Sequence, residues 1–150
     1  MKFMLLAPQI IFDHTGQELY AMGITNGCGD KGDKLNIFIP QTINGKDNIG
    51  CWGHDRCYAT GQTWADKHIS DITLYDNMCR QSRASEPWWH LFGRGWDIME
   101  AGVFFEAVHN LGVEPFWRGK GLIPARDTPG QEIITLQLVL HEYDYEEMTR

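Results

Sequence analysis

The run Cys51-Trp52-Gly53-His54-Asp55-Arg56-Cys57-Tyr58 constrains this chain more than any other stretch. It places an imidazole, a carboxylate, a phenol and two thiols within about two helical turns. Successive helical residues diverge by about 100°, so His54 can face a reacting water while Asp55 faces a cation beside it. Cys51, His54 and Tyr58 stand at i, i+3 and i+7 and share one face.

Upstream, Thr25-Asn26-Gly27-Cys28-Gly29-Asp30-Lys31-Gly32 mixes glycines with oxygen-bearing side chains. Glycine lets backbone carbonyls turn where a side chain would clash. Calcium takes six to eight oxygens at about 2.3–2.6 Å and accepts main-chain carbonyls among them. This loop together with Asp55 is therefore a chemically sensible half-cage for Ca2+; the alternative is an ordinary surface turn.

Downstream, Ser70 is expected to open a helix over Asp71-Ile72-Thr73-Leu74-Tyr75-Asp76-Asn77-Met78-Cys79, where apolar groups recur at helical spacing. Asp71 then falls in its first turn. A general base needs its imidazole held in one tautomer, and a carboxylate on a facing helix does this. Asp71 is the candidate; a first-turn Asp placed only by the helix dipole is the alternative.

Taken in order, the three pieces resemble the secreted phospholipase A2 superfamily. Its signature couples a Cys-Gly-x-x-Gly-like calcium loop to Cys-x-x-His-Asp-x-Cys-Tyr and then to a helix beginning Asp-x-x-Phe/Leu-Tyr. The likeness is nearest the small bacterial and fungal, prokaryotic-type branch, through Asn26-Gly27-Cys28 and through Phe104-Phe105-Glu106-Ala107-Val108-His109-Asn110-Leu111-Gly112. It covers roughly residues 20 to 112 of what reads as one domain of 150 residues. Met1 to Met22 and an extension over 113–150 have no counterpart. That branch usually has Asp where this chain has Asn26, so the loop carries one formal negative charge fewer.

The resemblance implies a mainly α fold in which two antiparallel core helices carry His54 and Asp71 and a calcium loop spans residues 25 to 32. It implies His54 as general base, with Asp71 and Tyr58 as its hydrogen-bonded support. Asp55 would be the calcium carboxylate, Asn26 and the Gly27 carbonyl the loop ligands, and the Gly29 amide the oxyanion donor. The implied reaction is calcium-dependent hydrolysis of a phospholipid carboxylic ester at an interface, by water from which His54 removes a proton. The alternative is a non-catalytic domain of the same fold, a structural or binding part of a larger assembly such as a phage particle.

Four cysteines permit three pairings. The resemblance implies a bond between Cys28 and Cys51 that ties loop to helix. With antiparallel helices level at His54 and Asp71, Cys79 lies about 12 Å along the axis the wrong way for Cys57, beyond the reach of a disulfide. The competing chemistry is a zinc site from Cys28, Cys51, His54 and Cys57, although Cys51 and Cys57 have neither knuckle nor Cys-x-x-Cys spacing.

In the second half, Glu86-Pro87 precedes an aromatic cluster and a helix expected from about Trp96 to Leu111, closed by Gly112. Its expected apolar stripe is Trp96, Met99, Val103, Ala107 and Leu111. The tryptophans are expected mostly inside, the alternative being a belt at a lipid interface. Ile133 to Leu140 alternates and predicts a short β element near the C-terminus. The tail His141 to Arg150 either frays or docks, so residues 131–150 are a candidate surface for a protein partner; a local hairpin with Phe116 to Ile123 is the other reading of this strand. His14, His68, His90, His109 and His141 show no ligand spacing and read as fillers.

The formal charge of −7 argues against nucleic acid and against strong adsorption to anionic membranes, which leaves zwitterionic or aggregated lipid. No apolar run approaches the roughly 18 residues of a membrane span. The start, Met1 to Phe12, has one cation, a short apolar stretch interrupted by Pro8 and no small-x-small site before Asp13-His14. It reads as mature sequence rather than a signal peptide, with delivery expected by another export route, by injection or on a virion.

Overall fold

Residues Lys2–Ala7 alternate as a half-buried strand does, and they form one, β1, with Phe3, Leu5 and Ala7 turned inward. The computed structural model describes residues 1–28, 41–87 and 89–149. After β1 come α1 (Ile10–Asp13) and α2 (Gly16–Ala21). Helix α2 opens with a capping box, in which the Thr15 hydroxyl accepts from the Glu18 N–H and the Glu18 carboxylate accepts from the Thr15 N–H. A two-residue Asn44-Gly45 turn joins β2 (Thr42–Ile43) to β3 (Lys46–Asp47).

Two helices form the centre, α3 (Ile49–Thr60) and α4 (Trp64–Ser85). The Ile49 N–H donates to Gln81, Gly50 lies against Asn77, His54 meets Asp71, and the Lys67 ammonium sits over the Tyr58 ring. Partners fall in number on α4 as they rise on α3, so the helices run antiparallel. Helix α5 (Leu91–Leu111) packs on α4, and α6 (Val113–Trp117), β4 (Val139–Asp144) and α7 (Tyr145–Met148) complete the chain.

The two ends of the chain make one sheet. Strand β1 pairs antiparallel with β4, from Lys2 opposite Asp144 to Ala7 opposite Val139. The Asn77 amide of α4 donates to the Leu6 carbonyl at 2.7 Å and accepts from the Leu6 N–H at 2.9 Å, taking the place of a third strand. Between this sheet and α3 lies one core cluster, with Leu5, Ile11, Leu19 and Ile49 all fully buried. Each such side chain contributes about 1.5–3 kcal/mol, so the first twenty residues supply part of the core. A second cluster joins α3, α4 and α5 through Cys51, Leu74, Met78, Phe104 and Val108.

Several expectations change. Helix α4 is opened by Thr63, capped with Asp66, and not by Ser70; Asp71 lies seven residues inside it, beyond the reach of the terminal dipole. Helix α5 begins at Leu91, not near Trp96, and buries Ala101, Phe104 and Val108 while Met99, Val103 and Leu111 are exposed. The expected stripe was one helical face away, because α5 is apolar nearly all round and spacing alone does not choose a side. Trp52 and Trp117 are buried and Trp89 is exposed. The strand is Val139–Asp144, not Ile133–Leu140, whose Ile133 and Ile134 are exposed. Its partner is β1, not Phe116 to Ile123, and the tail beyond it forms α7.

Asp66 explains how the extension is held. This buried carboxylate accepts from the N–H groups of Gln62, Thr63, Thr135 and Leu136 and from the Thr135 hydroxyl. Burial pushes its carboxyl up, yet these donors win and hold it below the ordinary carboxylate range. Residues 131–136 are thereby pinned to the start of α4, where the Ala65 N–H also donates to the Gln131 carbonyl.

Candidate active site

On α3, His54 and Tyr58 lie one turn apart with rings 4.0 Å between centroids. Both converge on Asp71 of α4: His54 Nε2 is 3.1 Å from Asp71 Oδ1, and the Tyr58 hydroxyl donates to the same oxygen at 2.7 Å. Asp71 is fully buried, and the His54 side chain is 10% exposed. Nε2 therefore carries the proton, and Nδ1 keeps its lone pair with no partner among the described residues. The sequence-derived trio of His54, Tyr58 and Asp71 is assembled.

A fourth member lay unread in the sequence. Lys67, one turn before Asp71, donates to Asp71 Oδ2 at 2.7 Å and to the Val108 and His109 carbonyls at 3.2 and 3.0 Å. Burial pushes the Asp71 carboxyl up, but the His54 hydrogen bond and the Lys67 charge outweigh it, and the carboxylate stays ionised below its usual range. Tyr58 is driven well above the usual phenol range by burial and by the Asp71 charge, so it is a neutral donor. His109, a filler by its spacing, places Nδ1 3.6 Å from Asp71 Oδ2. The i, i+4 spacing of Lys67 and Asp71 was the available signal for Lys67; none marked His109, which arrives on α5.

Gly112, just past α5, makes the approach of that helix possible. A Cβ there would lie 2.4 Å from the Tyr58 hydroxyl and 2.3 Å from the Val108 carbonyl. Glycine is required because the end of α5 and the phenol share that space.

Beside the dyad, Asp55 gathers the start of the loop. Its Oδ2 accepts from the Thr25 hydroxyl at 2.7 Å and from the Asn26 N–H at 3.2 Å. Gly27 adopts φ 97°, a left-handed conformation that other residues rarely take, and its N–H donates to the Thr25 hydroxyl. Cys28 and Cys51 form a disulfide with Cα atoms 5.1 Å apart, and the Gln41 amide brackets the Cys28 N–H and carbonyl. Asn26 is exposed. Residues 29–40, and with them Gly29 and the rest of the loop to residue 32, lie outside the described residues.

With Cys28 and Cys51 bonded to each other, the four-ligand zinc arrangement is gone. Cys57 and Cys79 are free and buried, and burial pushes the Cys57 thiol up to about 12. No three His, Cys, Asp or Glu side chains converge as a metal cluster among the described residues. One carboxylate with amide and backbone oxygens is a donor set of hard oxygens, which suits calcium rather than zinc. No described helix is long and apolar enough to cross a membrane. Comparison with protein-family models, with curated proteins and with solved structures gives no match, so the functional reading rests on the geometry of these side chains.

Proposed function

We propose that this chain is a phospholipase A2-like enzyme that hydrolyses a phospholipid carboxylic ester with calcium. The observation that carries the reading is the orientation of His54, whose Nε2 is committed to a buried, ionised Asp71 while Nδ1 is left with a lone pair. A base so held has one tautomer and one direction of action.

Water attacks the ester carbonyl as Nδ1 takes its proton; Asp71 stabilises the resulting imidazolium, which returns the proton to the departing alcohol. A fatty acid and a lysophospholipid leave. Tyr58 and Lys67 donate to Asp71 beside His54 and hold it ionised, so it orients His54 without taking up its proton. Asp55, Asn26 and the Gly27 carbonyl would hold calcium, which supplies polarisation of the ester carbonyl and charge for the oxyanion. The Gly29 amide is the proposed second oxyanion donor.

The test is release of fatty acid from mixed detergent–phospholipid micelles by purified protein. Release that stops with chelator and returns with calcium supports the reading. Calcium binding without release would favour a non-catalytic domain of an assembly, and indifference to calcium would end both.

A further inference from the structure

Next to Asp55 the surface opens into a cleft of about 430 Å³. Its lining brings Thr25, Asn26 and Asp55 together with Phe116, Arg118 and Lys120 of the segment that the family likeness does not cover. In a chain of formal charge −7, two cations lining the same cleft as the proposed calcium carboxylate are unexpected. From these positions we propose that Lys120, with Arg118 at the rim, forms a subsite for the phosphate of an anionic lipid head group. The inference rests on the reading of the active site given above and names the substrate class within it.

The chain is built to present Lys120 there. After α6 it turns back, with the Lys120 N–H donating to the Trp117 carbonyl at 3.0 Å. The ammonium lies 3.7 Å from the Phe116 ring centroid and donates to the Tyr58 carbonyl at 2.5 Å. Three protons are available on an ammonium, and that bond uses one. Partial burial lowers this group to about 8, against the opposing pull of the Asp66 charge, as for a cation short of solvent. A phosphate oxygen supplies both charge and acceptors, in a site where charge-assisted hydrogen bonds are strongest. Arg118, at the rim, pairs with exposed Glu114 at 3.6 Å, so Lys120 is the residue on which the subsite stands. Neither the −7 of the whole chain nor the sequence order of these residues shows this local field.

The bland account is that Lys120 only caps the last turn of α3. Two readouts separate them. Both lipids bring the phosphate, but the fixed choline cation of phosphatidylcholine is repelled by the Lys120 ammonium, so in neutral-detergent mixed micelles at fixed calcium wild type should favour phosphatidylglycerol by roughly tenfold or more. Lys120→Gln should bring that ratio near one, and Lys120→Arg should retain most of it. Independently of turnover, protein grown with carbon-13 lysine gives each lysine an ε-carbon resonance and leaves the ammonium unmodified. The Lys120 resonance, identified by its loss in Lys120→Arg, should move on adding glycerol 3-phosphate without calcium and stay put with choline.

Equal rates on both lipids with a stationary Lys120 resonance overturn the subsite and leave the proposed enzyme standing. A Lys120→Gln variant of lower thermal midpoint but unchanged lipid ratio does the same. A moving resonance in a protein that hydrolyses neither lipid supports the anion site and removes the enzyme.

Discussion

Lys67 and Asp71 stand one turn apart on α4 as an ion pair, Nζ to Oδ2 2.7 Å, with side chains 3% and 0% exposed. Asp71 reaches His54 and Tyr58 through its other oxygen. Lys67 reaches the last carbonyls of α5. One buried pair thus joins the proposed base to the packing of three helices.

Removing one partner of a buried pair leaves a charge without compensation. Lys67→Met should lower unfolding free energy by about 3–5 kcal/mol, read from urea denaturation. Combining it with Asp71→Asn should recover part of that loss. No recovery would mean that the cost is packing alone.

Acid should attack the same group. The folded-state carboxyl of Asp71 is lowered, so its contribution is present above the unfolded value of about 3.9 and is lost as pH falls through the lower folded value. Asp66, also lowered, acts with the same sign. Stability should be level from neutral pH to about pH 5 and drop below about pH 4, with a shallower drop in Asp71→Asn. An acid limb unchanged in that variant would refute the assignment.

His54→Ala should reduce ester hydrolysis by about 10²–10⁴-fold while circular dichroism stays that of wild type. Retention of more than about a tenth of the rate would remove His54 from the role of base.

The thiols give a test that needs no substrate. Non-reducing peptide maps should join Cys28 to Cys51, and Cys57 and Cys79 should resist iodoacetamide at pH 8 until the protein is unfolded. Reducing the bridge, which spans 23 residues, should cost about 3 kcal/mol. Rapid labelling of folded Cys57 would contradict its burial.

Asp66→Ala should strip five donors of their acceptor at once. Hydrogen exchange at the Thr135 and Leu136 amides should speed up well before exchange in α3 does. Uniform change across the chain would show that the extension is not held locally.

How much of this was legible in the sequence follows from the range of each interaction. His54, Asp55 and Tyr58 are neighbours on one helix, and Cys28, Asn26 and Gly27 neighbours on one loop, so local spacing was enough to group them. The mainly helical class and the Cys28–Cys51 bond were likewise expected and are present. Where α4 begins is not legible locally, because Ser70 and Thr63 are both good caps in isolation and only the buried Asp66 network selects Thr63. The buried side of α5 is not legible either, because its apolar residues surround the helix, and contact with α4 picks Ala101, Phe104 and Val108. Only the tertiary structure could bring Lys2–Ala7 beside Val139–Asp144, His109 to Asp71 and Lys120 to the cleft of Asp55. Those pairings join residues tens to more than a hundred positions apart, where side-chain periodicity carries no register and burial of shared surface makes the choice.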